Sequence, residues 1–199
     1  MRVLVTREEL VARVESLGHA AVLCELIRVE PLGDEPVDAR AYDWLVVTSR
    51  NGAHELGRRG VSANRIAAIG PATAEALRSH GLRVDLVAAT HTQEGLRDEL
   101  PEGRLLLAAA EGARQGVLEA DFLPLYRTIE LRPEVPDADV ALLMSGSAAR
   151  ALAATGARPP VVALGPQTAA EAREVGLDVV AVAAGHDLDG LVEALRSRS

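Results

Sequence analysis

The sequence predicts an α/β fold of two similar parallel-sheet domains, and three observations carry that prediction. The first is a repeat: Ile69-Gly70-Pro71-Ala72-Thr73-Ala74-Glu75-Ala76-Leu77 returns as Leu164-Gly165-Pro166-Gln167-Thr168-Ala169-Ala170-Glu171-Ala172. Around it, Val47-Thr48-Ser49 pairs with Met144-Ser145, Gly81-Leu82 with Gly176-Leu177, and His91 with His186. The second is periodicity: from Tyr42 onward, short runs that are apolar along their whole length alternate with helix-like segments, as strands covered on both faces do. The third is punctuation. Two stretches carrying Pro and Asp, at 31–40 and 132–138, flank one compact block.

Taken in order, Val3-Leu4-Val5 is a strand, and Leu10, Val11, Val14 and Leu17 recur at helical spacing until Gly18 stops the helix. Ala20 to Cys24 is a second strand. Glu25 to Glu30 then alternates polar with apolar, which suits a strand with one wet face. Gly33 to Arg40 reads as a polar loop and linker. Strands are expected at 44–47, 66–69, 84–87 and 105–108, with helices after Ser49, from Pro71 to His80, from Gln93 to Leu100 and from Gly112 to Ala120. Residues 123–131 repeat the half-wet alternation, and Pro133-Glu134-Val135-Pro136-Asp137 is a second linker. Strands at 140–144, 161–164 and 179–182 follow, each with a helix, the last from Leu188 to Arg196.

This order assigns one discontinuous domain to 1–24 plus 137–199 and a second to 41–123. Segments 25–40 and 124–136 are left as linkers whose alternating strands pair between the domains.

Composition removes several functions. No run approaches the roughly 20 apolar residues of a membrane span, and Met1 to Arg7 reads as a strand rather than a signal peptide, so the chain is expected to be cytoplasmic. The one cysteine, Cys24, lies in an apolar run and reads as packing. All 21 basic residues are arginine, which excludes lysine Schiff bases and a phosphate loop ending in Gly-Lys-Ser/Thr. A net charge of -8 argues against nucleic acid. His19, His54 and His80 stand alone with no ligand at metal spacing, and His91 and His186 read as loop or cap residues.

What chemistry remains sits at helix starts. Thr48-Ser49-Arg50-Asn51 and Ser145-Gly146-Ser147-Ala148 each place a hydroxyl where a strand passes into a helix, and Gly70-Pro71-Ala72-Thr73 and Gly165-Pro166-Gln167-Thr168 place proline at a first helical position. A hydroxyl there caps free N–H groups. The same amides and partial positive charge also bind anions, and ligands of open parallel sheets lie beyond the carboxyl ends of the strands. Two linked domains are expected to aim all four starts at one cleft. Tyr126, in the second half-wet segment, is either packing or a proton donor there.

The ordered set Asp43 to Ala53, Ala67 to Ala74, Tyr126-Arg127-Thr128, Ser145 to Ala148 and Ala163 to Ala169 resembles the uroporphyrinogen-III synthase family over nearly the whole chain. The resemblance implies two flavodoxin/Rossmann-like domains joined by a two-stranded β ladder, in a monomer. It implies a lyase that closes the linear, polyanionic tetrapyrrole hydroxymethylbilane with inversion of ring D, through an azafulvene and a spiro-pyrrolenine, with no metal or organic cofactor. Carried onto this sequence, it points to Tyr126 as the group assisting departure of the hydroxyl. The carboxylate binders it points to are Thr6, Arg7, Ser49, Arg50, Asn51, Thr73, Ser145, Ser147 and Thr168. Leu107-Ala108-Ala109-Ala110 stands where the family often has an arginine, and Arg114 is the candidate substitute. The alternative reading is a non-catalytic two-lobed hinge module that closes on a small anionic metabolite.

Overall fold

A computed structural model describes residues 1–185 and 187–197; His186 therefore lies outside the described residues. In chain order the elements are β1 (Arg2–Val5), a 3-10 turn (Glu8–Leu10), α1 (Val11–Ser16), β2 (Ala20–Leu23), β3 (Ile27–Pro31), β4 (Val37–Asp38) and β5 (Trp44–Val47). Then come α2 (Arg50–Arg59), β6 (Val61–Ser62), β7 (Ile66–Ala68), α3 (Pro71–Ser79), β8 (Leu86–Val87), α4 (Gln93–Glu99) and β9 (Leu105–Ala110). The chain continues through β10 (Ala120–Glu130), β11 (Val140–Leu143), α5 (Gly146–Thr155), β12 (Val161–Ala163), α6 (Pro166–Glu174), β13 (Val179–Val182) and α7 (Leu188–Arg196).

The chain divides into two compact units, Met1–Arg28 with Ile129–Ser199, and Val29–Thr128. In the first unit the strand order is β13-β12-β11-β1-β2, all neighbours parallel. Side chains alternate across this sheet, as the two-residue strand period requires. Leu4, Ala141, Leu143, Val161 and Ala163 point to one face, under the alanines and Leu152 of α5 and α6. Val3, Val5, Val140, Leu142 and Val162 point to the other, under Leu10, Val14, Leu191 and Leu195. Both faces are covered, so the strands are apolar throughout. Gly156 ends α5 in the left-handed region (φ 87°), which glycine enters without steric cost.

The second unit is built alike, with β10-β9-β5-β7-β8 parallel in that order and β3 beside β10. Leu45 and Val47 enter the layer under α2 and α3, with Ala53, Leu56, Ala74 and Leu77. Trp44 and Val46 enter the opposite layer with Leu96 of α4. Along β3 and β10, Leu32 N–H donates to Leu125 within this unit, and Leu131 N–H donates to Leu26 within the first.

Two expectations change. Residues 112–120 are not a helix: the segment turns through Gly116 at φ 86° and enters β10 at Ala120, parallel to β9. Its Leu118 is 4% exposed and fills the layer beside Trp44, so a loop supplies the burial a helix was expected to provide. The stretch 33–40 is more than a polar linker. Val37 and Ala39 are buried in the second unit, where β4 pairs in parallel with β6.

Candidate active site

Each sheet reverses its direction of strand addition at one point, between β1 and β11 in the first unit and between β9 and β5 in the second. Ligands of such sheets sit beyond the carboxyl ends of the strands at that point. Thr6, Ser49 and Ser145 follow strands of that kind, β1, β5 and β11, whereas Thr73 and Thr168 follow the next strands out, β7 and β12, and Tyr126 lies within β10.

In the second unit, Ser49 caps α2 from extended backbone, its Oγ accepting the Gly52 N–H at 3.0 Å. The same Oγ lies 2.9 Å from the Tyr126 hydroxyl, which also hydrogen-bonds Asn51. Tyr126 sits where the parallel part of β10 ends, its carbonyl accepting the Glu111 N–H. It is 5% exposed, and burial pushes its phenol above the ordinary value of 10, while the hydrogen bonds from Ser49 and Asn51 pull partly back. The phenol is therefore a neutral donor at physiological pH. Arg50, next to the cap, makes no side-chain hydrogen bond or ion pair with any described residue.

α3 starts from Gly70 with Pro71 at the first helical position. Its third residue, Thr73, is 5% exposed, yet its hydroxyl has no partner among the described residues and is not among the fully enclosed polar atoms. Arg114, the substitute for the family's arginine, pairs with Glu94 at 2.5 Å on an exposed loop.

The first unit repeats the two helix starts with other chemistry around them. Ser145 caps α5 by accepting the Ala148 N–H at 3.2 Å and lies 3.0 Å from the Ser147 hydroxyl. Beside them the Glu171 carboxylate packs on Gly146, in the space a Cβ there would occupy, and Arg150 holds that carboxylate at 2.5 Å. Thr168, third in α6, matches Thr73: 7% exposed, its hydroxyl unpartnered among the described residues. Thr6 and Arg7 line an open concavity of about 420 Å³ at the end of β1, but Glu8, Glu9 and Glu25 line it too, so Arg7 is its only cation among the described residues.

Sequence reasoning missed three relationships: Glu171 filling the space above Gly146, the His91 ring lying over Gly70, and the contact between His54 and His80 at 2.9 Å, two residues read as standing alone. The described residues contain no cluster of three metal-ligating side chains and no helix long and apolar enough to cross a membrane.

A model of the family described as HEM4, Uroporphyrinogen-III synthase HemD, matches residues 8–193. A relative from Archaeoglobus fulgidus named "Putative uroporphyrinogen-III synthase" is 28% identical, covering 100% of this chain and 99% of its own. Among solved structures, a mutant uroporphyrinogen III synthase of the extremely thermophilic bacterium Thermus thermophilus shares the fold with a TM-score of 0.68 at 20% identity, over 99% of this chain and 98% of that one. The wild-type protein in another crystal form gives 0.52 at 21%, over 100% and 99%. With parallel α/β sheets placing these helix starts beyond their strand ends, and a family match that runs from the first helix to the last, the chain belongs to the uroporphyrinogen-III synthase family.

Proposed function

We propose that this chain closes hydroxymethylbilane to uroporphyrinogen III with inversion of ring D, releasing water, and that it does so chiefly by positioning. The observation that carries the reading is the pair of buried threonines, Thr73 and Thr168, each at the third position of a Gly-Pro helix start with a hydroxyl that no described residue satisfies. Neither hydroxyl is sealed from solvent, so each is a donor held ready at a helix start. A ligand carboxylate can accept from it and from the amides of the same helix turn.

Hydroxymethylbilane carries many carboxylates, and a chain of net charge -8 must bind them with local donors. Ser49, Asn51, Ser145, Ser147 and Thr6 complete the set, with Arg50 and Arg7, whose side chains bond no described residue. The reacting ends need little acid-base help, because the open chain cyclises unaided to the uninverted isomer; the enzyme holds ring D in the one arrangement that leads to inversion. Tyr126, kept protonated by burial, donates a hydrogen bond to the departing hydroxyl, which leaves as water as the pyrrole N–H gives up its proton, forming the azafulvene. Ring D then attacks through its substituted carbon, and the spiro-pyrrolenine fragments and recloses. The work belongs to the cytoplasm and to a monomer in this reading, with no cofactor.

The test is to supply hydroxymethylbilane and resolve the uroporphyrinogen isomers formed. Type III above background supports the reading; type I alone refutes it.

A further inference from the structure

We propose that His91 is a substrate-binding residue, one wall of a carboxylate subsite at the start of α3. This rests on the reading just given, in which that helix start meets substrate. Gly70 has an extended backbone (φ -177°) that any residue adopts, so its conformation does not call for glycine. A Cβ there would lie 3.1 Å from Cγ and 3.2 Å from Cδ2 of His91, a tight contact that a small shift of the exposed ring relieves, so the imidazole lies against the cap of α3.

The backbone that carries the ring is set by its own loop. Thr92 N–H donates to the Thr90 carbonyl at 2.7 Å, and the Thr92 hydroxyl caps α4 by accepting the Gly95 N–H at 3.1 Å. A Cβ on Gly95 would collide with the Thr90 oxygen, so the turn that carries His91 is pressed against α4 and has little room to swing.

Neither ring nitrogen of His91 bonds to a described residue, and the Thr73 hydroxyl, in the first turn of the same helix, is equally unpartnered although Thr73 is 5% exposed. Pro71 has no N–H, which leaves the amides of Ala72 and Thr73 as the free backbone donors of that turn. Two amides, a hydroxyl and an imidazole N–H make a donor set suited to one carboxylate. An imidazole always keeps a donor on one nitrogen or both, so the subsite needs no fixed cation.

The test compares wild type with His91→Ala, His91→Asn and Gly70→Ala, reading KM and kcat for type III formation from hydroxymethylbilane and confirming folding by thermal melts. Losing one hydrogen bond to a charged group should raise KM roughly tenfold in His91→Ala with little change in kcat. His91→Asn, which keeps an N–H, should recover much of it, and Gly70→Ala should reproduce part of the defect with the histidine present by nudging the ring. An unchanged KM in His91→Ala, or an elevated KM that asparagine does not relieve, overturns the proposal while leaving the functional reading intact. If the wild-type protein forms no type III isomer, the functional reading fails first and this subsite with it.

Discussion

The Ser49 hydroxyl stands 2.9 Å from that of Tyr126 while accepting the N–H of Gly52 at 3.0 Å, so one atom caps α2 and holds the buried phenol. Ser49→Ala should cost about 1 kcal/mol from the lost cap, and it should also slow product formation, because the phenol keeps only Asn51. Ser49→Thr should preserve both. Denaturant melts and initial rates on the three proteins check this; a stability loss with an unaltered rate would confine Ser49 to capping.

The phenol of Tyr126 should ionise above pH 10, since burial disfavours its charged form. The folded state then holds this proton more tightly than the unfolded chain does, and stability should fall as pH rises through the ordinary tyrosine value. The difference in phenolate absorbance between wild type and Tyr126→Phe isolates it from Tyr42, and a midpoint at or below 10 would contradict the burial argument. Tyr126→Phe should slow the reaction by about tenfold or less, below the hundredfold or more of a general acid on which chemistry depends. Unchanged kinetics would remove the residue from the mechanism.

Arg50 and Arg7 should not be equivalent. Arg50 flanks the α2 start with no competing carboxylate on it among the described residues, whereas Arg7 shares its concavity with three glutamates. Arg50→Ala should therefore raise KM several-fold more than Arg7→Ala. Equal effects would mean that those glutamates do not face the ligand.

Gly146→Ala tests the crowding at α5. Its methyl would collide with the Glu171 carboxylate and push it away from Arg150, at a cost of about 1 kcal/mol or less, because the carboxylate is the end of a flexible, partly exposed side chain. Combining it with Glu171→Ala should recover part of that loss, because the two changes act on one contact. Strictly additive losses in denaturant melts would show that the contact is not the cause.

The legible part of this fold was the part written in local pattern. Val3, Val5, Leu4 and their counterparts in β5 and β11 are apolar at every position because each sheet is covered on both faces, and that can be read without coordinates. The caps at Ser49 and Ser145 were legible for the same reason, since a cap is a short-range bond. The loop 111–119 was not, because Leu118 is apolar for a reason that lies elsewhere in the chain, the layer beside Trp44. The neighbours of Gly70 and Gly146 were not legible either: the His91 ring lies against the first, and the Glu171 carboxylate fills the space where a Cβ of the second would be. Contacts between residues distant in sequence leave no periodicity, and these are the contacts that shape the helix starts.

In the proposed reaction the helix-start hydroxyls of Thr73 and Thr168, which no described residue satisfies, decide which isomer forms. The direct measurement is the uroporphyrinogen III to I ratio from the doubly substituted Thr73→Val/Thr168→Val protein, held in large excess over hydroxymethylbilane so that the substrate is bound. The expected result is a shift from type III toward a mixture containing type I, with folding intact by thermal melt. Undiminished type III formed at the wild-type rate would contradict it.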